Sequence, residues 1–484
     1  MKRRIALGGL ATLLTVLSGA ACTVLVAGEA QRPPPPGLAE PVLTPIDIPF
    51  VHRWSRDTSH PLLAAAAIDI DGDGRDEVFL GGSDGQADAL IAWRDGKLAD
   101  IAAQAGLGDT TATHGALSLD LDGDGQVDLL TAGHAGLVVW LNKSGRFEPR
   151  PIALKLPDDA VPMAVTAGDY DRDGRVDLYL SMFVAARSFR SPVFNDPAHA
   201  KRNILLRNEG NLQCRDVTDA VTVGLQNTFT ASFVDLDRDG WLDLALAQNT
   251  GEAEILRNLD NGSFVRVALR TGFGFWMGLA FGDLHGDGDP DIFFSNAGNS
   301  IPAIFVKGDR RDDQPAALEW LLLRNDGGMR FTGIIEPSGA TGFGFAWGGV
   351  FEDINLDGVL DLLVAENYVK WPVHRLFKLP GKGANMDGPA RAYLNRSAGR
   401  FVAVRLPDDA ASIGARVRLE GVRVPVRQVI AGEGLTSDRT TQHTIGMPAD
   451  GPAPTALVVE WPDGRQTRMA EPPLGKPLRV PAPA

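Results

Sequence analysis

Between Ile46 and Leu406 the chain alternates short apolar runs with short polar, glycine-containing ones. Runs such as Ala231-Ser-Phe-Val before Asp235 and Leu129-Leu-Thr-Ala-Gly after Asp128 have the length and composition of buried β-strands. The polar stretch between two such runs repeats. A nine-residue pattern begins at Asp69, Asp120, Asp169, Asp235, Asp283 and Asp353, with spacings of 51, 49, 66, 48 and 70 residues. A second signature follows each copy: Leu205-Leu-Arg-Asn208, Ile255-Leu-Arg-Asn258, Leu322-Leu-Arg-Asn325 and Ala392-Tyr-Leu-Asn395, with weaker copies at Val139-Trp-Leu-Asn142 and Ile91-Ala-Trp-Arg94. One unit therefore reads as strand, acidic loop, strand, turn, strand, Asn/Gly turn, strand. Units of four short strands cannot bury both faces alone and stack on their neighbours, which predicts an all-β protein built as a β-propeller of six or seven blades. The two long spacings predict insertions at Met182 to Arg202 and Ala297 to Glu319.

The acidic loop has a definite chemistry. Position 1 is always Asp, position 5 is always Asp and position 6 is always Gly, which fits a sharp turn with positive φ. Oxygen ligands at positions 1, 3, 5 and 9, with the carbonyl of 7, suit Ca²⁺. The expected ligand sets are Asp69, Asp71, Asp73, Arg75 and Glu77; Asp120, Asp122, Asp124, Gln126 and Asp128; Asp169, Asp171, Asp173, Arg175 and Asp177; and Asp235, Asp237, Asp239, Trp241 and Asp243. The fifth is Asp283, Asp287, Asp289 and Asp291, and the sixth Asp353, Asn355, Asp357, Val359 and Asp361. Position 12 carries Leu80, Thr131, Leu180, Leu246, Phe294 and Val364, not the Glu of an EF-hand. His285 occupies position 3 of the fifth loop, and imidazole nitrogen is a poor partner for Ca²⁺, so five or six sites are expected, with the fifth weak or empty.

Charge follows from the loops. The formal net charge is −14, which disfavours nucleic acid and anionic membranes as partners. The loops hold 22 carboxylates at ligand positions, and six Ca²⁺ ions would bring the total to about −2, so the acidity reads as a metal requirement. The two cysteines, Cys22 and Cys214, allow no disulfide framework in the body, and Cys214 reads as a small buried thiol. Basic Met1 to Arg4 and apolar Ile5 to Ala27 read as an export signal cleaved near Ala30, a retained membrane anchor, or a terminus lipidated at Cys22, where Gly19 departs from the usual lipobox. All three place the body outside the cytoplasm, with membrane contact through this segment alone. Residues 1–30 are thus signal or anchor, 31–45 a Pro-rich spacer, 46–406 the propeller and 412–484 a separate β-rich module.

Taken together, the acidic loops resemble the FG-GAP or VCBS repeats of integrin α-chain heads. Ser412-Ile-Gly-Ala-Arg-Val, Arg427-Gln-Val-Ile-Ala-Gly-Glu-Gly, Gln442-His-Thr-Ile-Gly and Val458-Val-Glu-Trp-Pro-Asp-Gly-Arg resemble the ASPIC/UnbV module. The combination is similar to the cartilage acidic protein family. It implies an exported, integrin-α-like, Ca²⁺-binding propeller followed by a small β-module, and transfers no catalytic residue.

No zinc-spaced histidines, nucleophile elbow, P-loop or dinucleotide fingerprint occurs in the sequence. The near-identical segments Thr271 to Asp283 and Thr341 to Asp353, rich in Gly, Phe and Trp, are suited to packing between blades or to lining a pocket. Asn249, Asn296 and Asn367 recur at one offset and fit either a shared rim or plain turns. The expected function is an exported calcium-binding scaffold that binds a protein or glycan at the cell envelope. The alternatives are an extracytoplasmic lyase or hydrolase acting on carbohydrate and a passive assembly scaffold.

Overall fold

The computed structural model describes residues 48–53, 64–73, 75–185, 201–220, 228–249, 251–260, 262–285, 287–296, 315–317, 319–338, 340, 345–352, 360–367, 391–393, 399–424, 426–433, 437–438, 441–448, 451–475 and 477–483. The N-terminal segment and spacer, most of both insertions, Thr341 to Gly344, and Asp353, Asn355, Asp357 and Val359 of the sixth loop lie outside these residues.

The repeat becomes a series of small antiparallel sheets. Blade 1 contains β1 (Ala65–Ile68), β2 (Glu77–Leu80), β3 (Ala89–Arg94) and β4 (Lys97–Asp100). Blade 2 contains β5 (Thr113–Leu119), β6 (Asp128–Gly133), β7 (Gly136–Asn142) and β8 (Phe147–Pro151). Blade 3 runs through β9 (Ala160–Gly168), β10 (Asp177–Val184), β11 (Ile204–Asn208) and β12 (Cys214–Asp216). Blade 4 comprises β13 (Thr228–Val234), β14 (Asp243–Gln248), β15 (Glu254–Asn258) and β16 (Phe264–Val267). Blade 5 comprises β17 (Trp276–Gly282), β18 (Asp291–Asn296), β19 (Leu321–Asn325) and β20 (Phe331–Gly333), and blade 6 has β21 (Phe345–Glu352), β22 (Asp361–Asn367) and β23 (Arg391–Tyr393). In blades 1 to 5 the acidic loop joins the first strand to the second, and position 9 pairs across the hairpin with the residue just before position 1, as Asp177 does with Gly168 and Asp243 with Val234.

Burial explains the stacking. Inner strands such as Thr228–Val234 and Trp276–Gly282 are buried along their whole length, whereas the fourth strand of blade 2 buries only Phe147. The apolar clusters lie between neighbouring sheets: Leu119, Leu130, Leu178, Tyr179, Phe233 and Leu244 join blades 2 to 4, and Phe293, Trp320, Phe351 and Leu362 join blades 5 and 6. A bulge near the start of the first hairpin recurs in blades 2 to 6, at Thr113/Gly115 and Thr228/Thr230 for example, which sharpens the twist of each sheet. First strands pack in succession from β1 to β21. Among the described residues β21 and β1 make no such extended contact, and Val78 and Trp93 on blade 1 and Leu363 on blade 6 remain exposed.

The C-terminal module consists of β24 (Gly399–Arg405), β25 (Arg416–Glu420), β26 (Arg427–Gln428), β27 (Ser437–Asp438), β28 (Gln442–Pro448), β29 (Ala456–Glu460), β30 (Gln466–Ala470) and β31 (Pro477–Arg479). β24, which the repeat would make the last strand of the sixth blade, pairs with β28 and β31 instead. Val402, Val404 and Leu406 alternate into a core with Val417, Ile445, Met447 and Trp461, and that apolar alternation draws the strand into the module.

One segment of the module threads among the first strands of the propeller. Ser437–Asp438 pairs in parallel with Ala65–Ala66 of blade 1. Asp438 accepts from the Ser118 N–H of blade 2 at 2.9 Å, and Thr166 Oγ1 of blade 3 donates to the Ala431 carbonyl at 2.6 Å. Ser232 of blade 4 donates to the Gly432 carbonyl at 3.4 Å, and Glu433 accepts from the Phe281 N–H of blade 5 at 3.0 Å. Five blades are thus tied to one short stretch of chain.

Candidate metal centres

The loops of blades 1 to 5 are shaped by their own carboxylates. In the second loop Asp120 Oδ1 accepts from Gly123 N–H at 2.8 Å and Oδ2 from Gly125 N–H at 2.8 Å. Asp169 does the same with Asp173 and Gly174, and Asp283 with Asp287 and Gly288. Gly125, Gly174, Gly240 and Gly288 at position 6 all have φ between 83° and 90°, the left-handed conformation for which glycine is suited. The position-7 residues Arg75, Gln126, Arg175, Trp241 and Asp289 donate their N–H to the carboxylate at position 5, over 2.8 to 3.1 Å.

Position 9 is a structural staple as well as a candidate ligand. Asp128 accepts from the N–H of Leu121 at position 2 and from Asn142 of the third strand, at 3.0 and 2.8 Å. Asp243 and Asp291 repeat this with Leu236 and Asn258, and with Leu284 and Asn325. The same asparagines reach sideways. Asn142 Nδ2 donates to the Ile70 carbonyl of blade 1, Asn258 Nδ2 to Tyr170 of blade 3 and Asn325 Nδ2 to Leu236 of blade 4, at 2.7 to 2.9 Å. The sequence showed these residues only as turn formers.

Among the described residues four loops bring acids together. The sets are Asp69, Asp71 and Asp73; Asp120, Asp122 and Asp128; Asp169, Asp171 and Asp177; and Asp235, Asp237 and Asp239, each with ligand oxygens within 4.8 Å of one another. Asp124 and Asp173 stand outside these sets, as do Glu77 and Asp243. In the fifth loop His285 Nδ1 lies 2.9 Å from Asp291 Oδ2, and Asp283 Oδ2 accepts from the Val426 N–H of the C-terminal module at 3.0 Å. Asp361 is buried.

The donor sets fit a hard divalent cation. Asp171 Oδ1, Asp177 Oδ2, Asp235 Oδ1 and Asp237 Oδ1 are buried and have no hydrogen-bond partner. Burial pushes Asp128, Asp169 and Asp235 up to about 6 and Asp177 and Asp243 up to about 8, because an ionised carboxylate loses hydration there. An oxygen-seeking ion restores what burial removes. Each of these loops also has a basic neighbour on or beside its third strand: Arg94, Lys143, Arg207 and Arg257.

The C-terminal module sits against loops 1, 2 and 4. Arg405 pairs with Asp76 at 3.1 Å, Arg479 lies 3.8 Å from Asp69, Arg416 lies 3.9 Å from Asp235, and Asp120 N–H donates to the Asp408 carbonyl. A cleft of about 650 Å³ with a mixed lining runs between loops 1 and 2 and the module, with Asp69, Asp71, Asp120, Arg405, Asp408 and Arg479 among the residues on its wall.

Other sequence candidates resolve differently. Phe273, Phe275, Trp276, Met277 and Phe281 are all buried, so the first aromatic Gly-rich segment packs between blades. Asn249 is buried against Met277 Sδ, and Asn296 binds the backbone of Phe275, Ala317 and Glu319, so neither faces a rim. Cys214 is half-buried, and its thiol is pushed up to about 11 by burial and then by Asp177, which leaves it unreactive. Among the described residues no helix is long and apolar enough to cross a membrane.

Comparison with known proteins agrees with this architecture. The FG-GAP-like repeat family matches residues 69–131, 120–180 and 235–294, and the ASPIC and UnbV family matches 407–484. Cartilage acidic protein 1 of Xenopus tropicalis is 22% identical over 447 residues, 85% of this chain and 62% of that protein, so the chain spans less than two thirds of that relative. Among solved structures, an Agrocybe aegerita lectin specific for non-reducing terminal N-acetylglucosamine is 15% identical, with 85% of this chain and 90% of that chain covered and a TM-score of 0.33. The exotype rhamnogalacturonan lyase YesX is 14% identical over 88% of this chain and 75% of that one, with a TM-score of 0.36. Repeated four-stranded sheets with acidic hairpin loops, followed by a matching C-terminal module, identify the chain as an FG-GAP-like repeat protein ending in an ASPIC and UnbV domain.

Proposed function

We propose that this protein is an exported, calcium-rigidified propeller that serves as a binding scaffold for a protein or glycan at the cell envelope. The observation that carries this reading is the set of buried carboxylate oxygens without donors in loops 3 and 4. Leaving such an oxygen unpaired costs on the order of 1–3 kcal/mol, and several in one loop demand a cation. Calcium there would be held by the gathered acids of loops 1 to 4 and would supply charge neutralisation and a cross-link between the first two strands of a blade. The apolar N-terminal run, with a basic start, supports export to a compartment where calcium is plentiful. The cleft beside loops 1 and 2, with charged and apolar residues on its wall, is in the size range of small-molecule sites and supports a ligand such as a glycan unit.

The test is elemental analysis of the purified body after dialysis in calcium buffer, paired with glycan-array and envelope-protein binding in calcium or chelator. The reading expects at least four calcium ions per chain and binding lost in chelator. Fewer than two ions, or turnover of a glycan abolished by substituting one acid outside the loops, would overturn it in favour of no metal role or of an enzyme.

A further inference from the structure

We infer that the loops of the first four blades carry built-in counter-ions: Arg94, Lys143, Arg207 and Arg257 hold the position-3 acids in place before a metal ion arrives and yield charge to it when it does. This rests on the calcium reading above. Arg207 Nε lies 2.7 Å from Asp171 Oδ2 and its Nη2 3.1 Å from Asp173 Oδ2. Arg257 Nη2 lies 2.7 Å from Asp237 Oδ2 and 3.4 Å from Asp239 Oδ2. Lys143 Nζ lies 3.3 Å from Asp122 and 2.6 Å from Asp124, and Arg94 Nη2 lies 3.6 Å from Asp71 and 3.1 Å from Glu77.

The choice of oxygen matters. In loops 3 and 4 the base takes Oδ2 of the position-3 acid, while Oδ1 of Asp171 and of Asp237 has no hydrogen-bond partner. The Asp237 side chain is only 6% exposed, so that second oxygen is not served by bulk water. The base therefore fixes the carboxylate through one oxygen and leaves the other open, while its own positive charge competes with that of an ion.

Repetition alone does not account for the pattern. Arg207 and Arg257 precede the signature asparagine, Lys143 follows it, and Arg94 stands in its place, yet all four reach position 3. Copying a repeat would have put the base at one register. Blade 5 supplies the contrast: Arg324 shares the register of Arg207 and Arg257, but position 3 there is His285, and Arg324 pairs with Asp326 at 2.7 Å instead. The base engages where an acid occupies position 3.

The charges give the sign of the effect. Four ligand-position carboxylates repel one another, one base removes a quarter of that charge, and a divalent ion removes half. The base thus stabilises the metal-free loop and opposes the ion. The test uses the full chain with Arg207→Gln and Arg257→Gln together, and Arg207→Lys as the conservative variant. Melting is followed in chelator, and calcium is titrated by calorimetry. The double variant is expected to melt about 1–2 °C lower in chelator, and to bind calcium at two sites about three- to tenfold more tightly. Arg207→Lys should restore the melting temperature in chelator. Unchanged melting and unchanged affinity would mark the pairs as incidental, and weaker or lost calcium at two sites would show that the bases do not oppose the ion; either outcome overturns the inference. Wild-type protein that binds no calcium sinks the metal reading itself, while the melting arm in chelator still decides whether the bases steady the acidic loops.

Discussion

Asn142, Asn258 and Asn325 each make three kinds of bond: a backbone N–H to the position-9 acid, a side-chain amide to the neighbouring blade, and a second to a carbonyl of their own loop. In the sequence only their turn-forming character was legible, because the lateral acceptor is far along the chain; for Asn258 it lies 88 residues away, at Tyr170. Asn258→Ala should cost about 1–3 kcal/mol, read as a lower urea midpoint, with the calcium content unchanged. A midpoint equal to wild type would show that the lateral bond contributes nothing. Asp88 lies outside the loops, and burial pushes it up to about 7 although Gly82 N–H and Thr113 Oγ1 donate to it. Its folded pKa is above the unfolded value, so its stabilising effect is complete below the unfolded pKa and is lost as pH rises through about 7. The contribution is at most about 4 kcal/mol. Stability of wild type relative to Asp88→Asn should therefore fall between pH 5 and pH 8, and a difference independent of pH would contradict the assignment.

The acidic loop is the element that the sequence revealed most completely. Its glycine at position 6, its strands on either side and its acids at positions 1 and 3 are local features, and the structure places them as the spacing requires. What the spacing did not reveal was the division of labour. Position 9 is largely used in holding backbone N–H groups, and the third strand sends a base to position 3, because both depend on pairing set by the whole sheet. The same limit hid β24: the pattern around Phe401 looked like another blade strand, and its alternating valines decided for the module. Asp237→Asn should keep the hairpin and remove or weaken one calcium per chain, since an amide offers one neutral oxygen where the ion needs charge. An unchanged titration would mean that loop 4 is not a metal centre.

Across the whole molecule, the segment from Ile430 to Asp438 links first strands that otherwise meet only their neighbours. The ring is open between blades 6 and 1 among the described residues, so this link substitutes for part of the missing closure. Gly432 has φ of 78°, and a Cβ there would lie 2.4 Å from the Val165 carbonyl oxygen. Gly432→Ala should therefore cost about 2–4 kcal/mol and loosen propeller and module together, seen as one lowered unfolding transition. Two separate transitions, with the propeller unmoved, would refute the linkage. Loops 1, 2, 4 and 5 lie between first and second strands and against the same module, so under the proposed reading ions held in them would brace both bodies at once. A ligand held only by the folded state raises stability by mass action, and several such ions act together. Thermal melting of the purified body in calcium and in excess chelator tests this directly: the account predicts a midpoint lower by about 10 °C or more in chelator and restored by added calcium, and identical curves in the two buffers would contradict it.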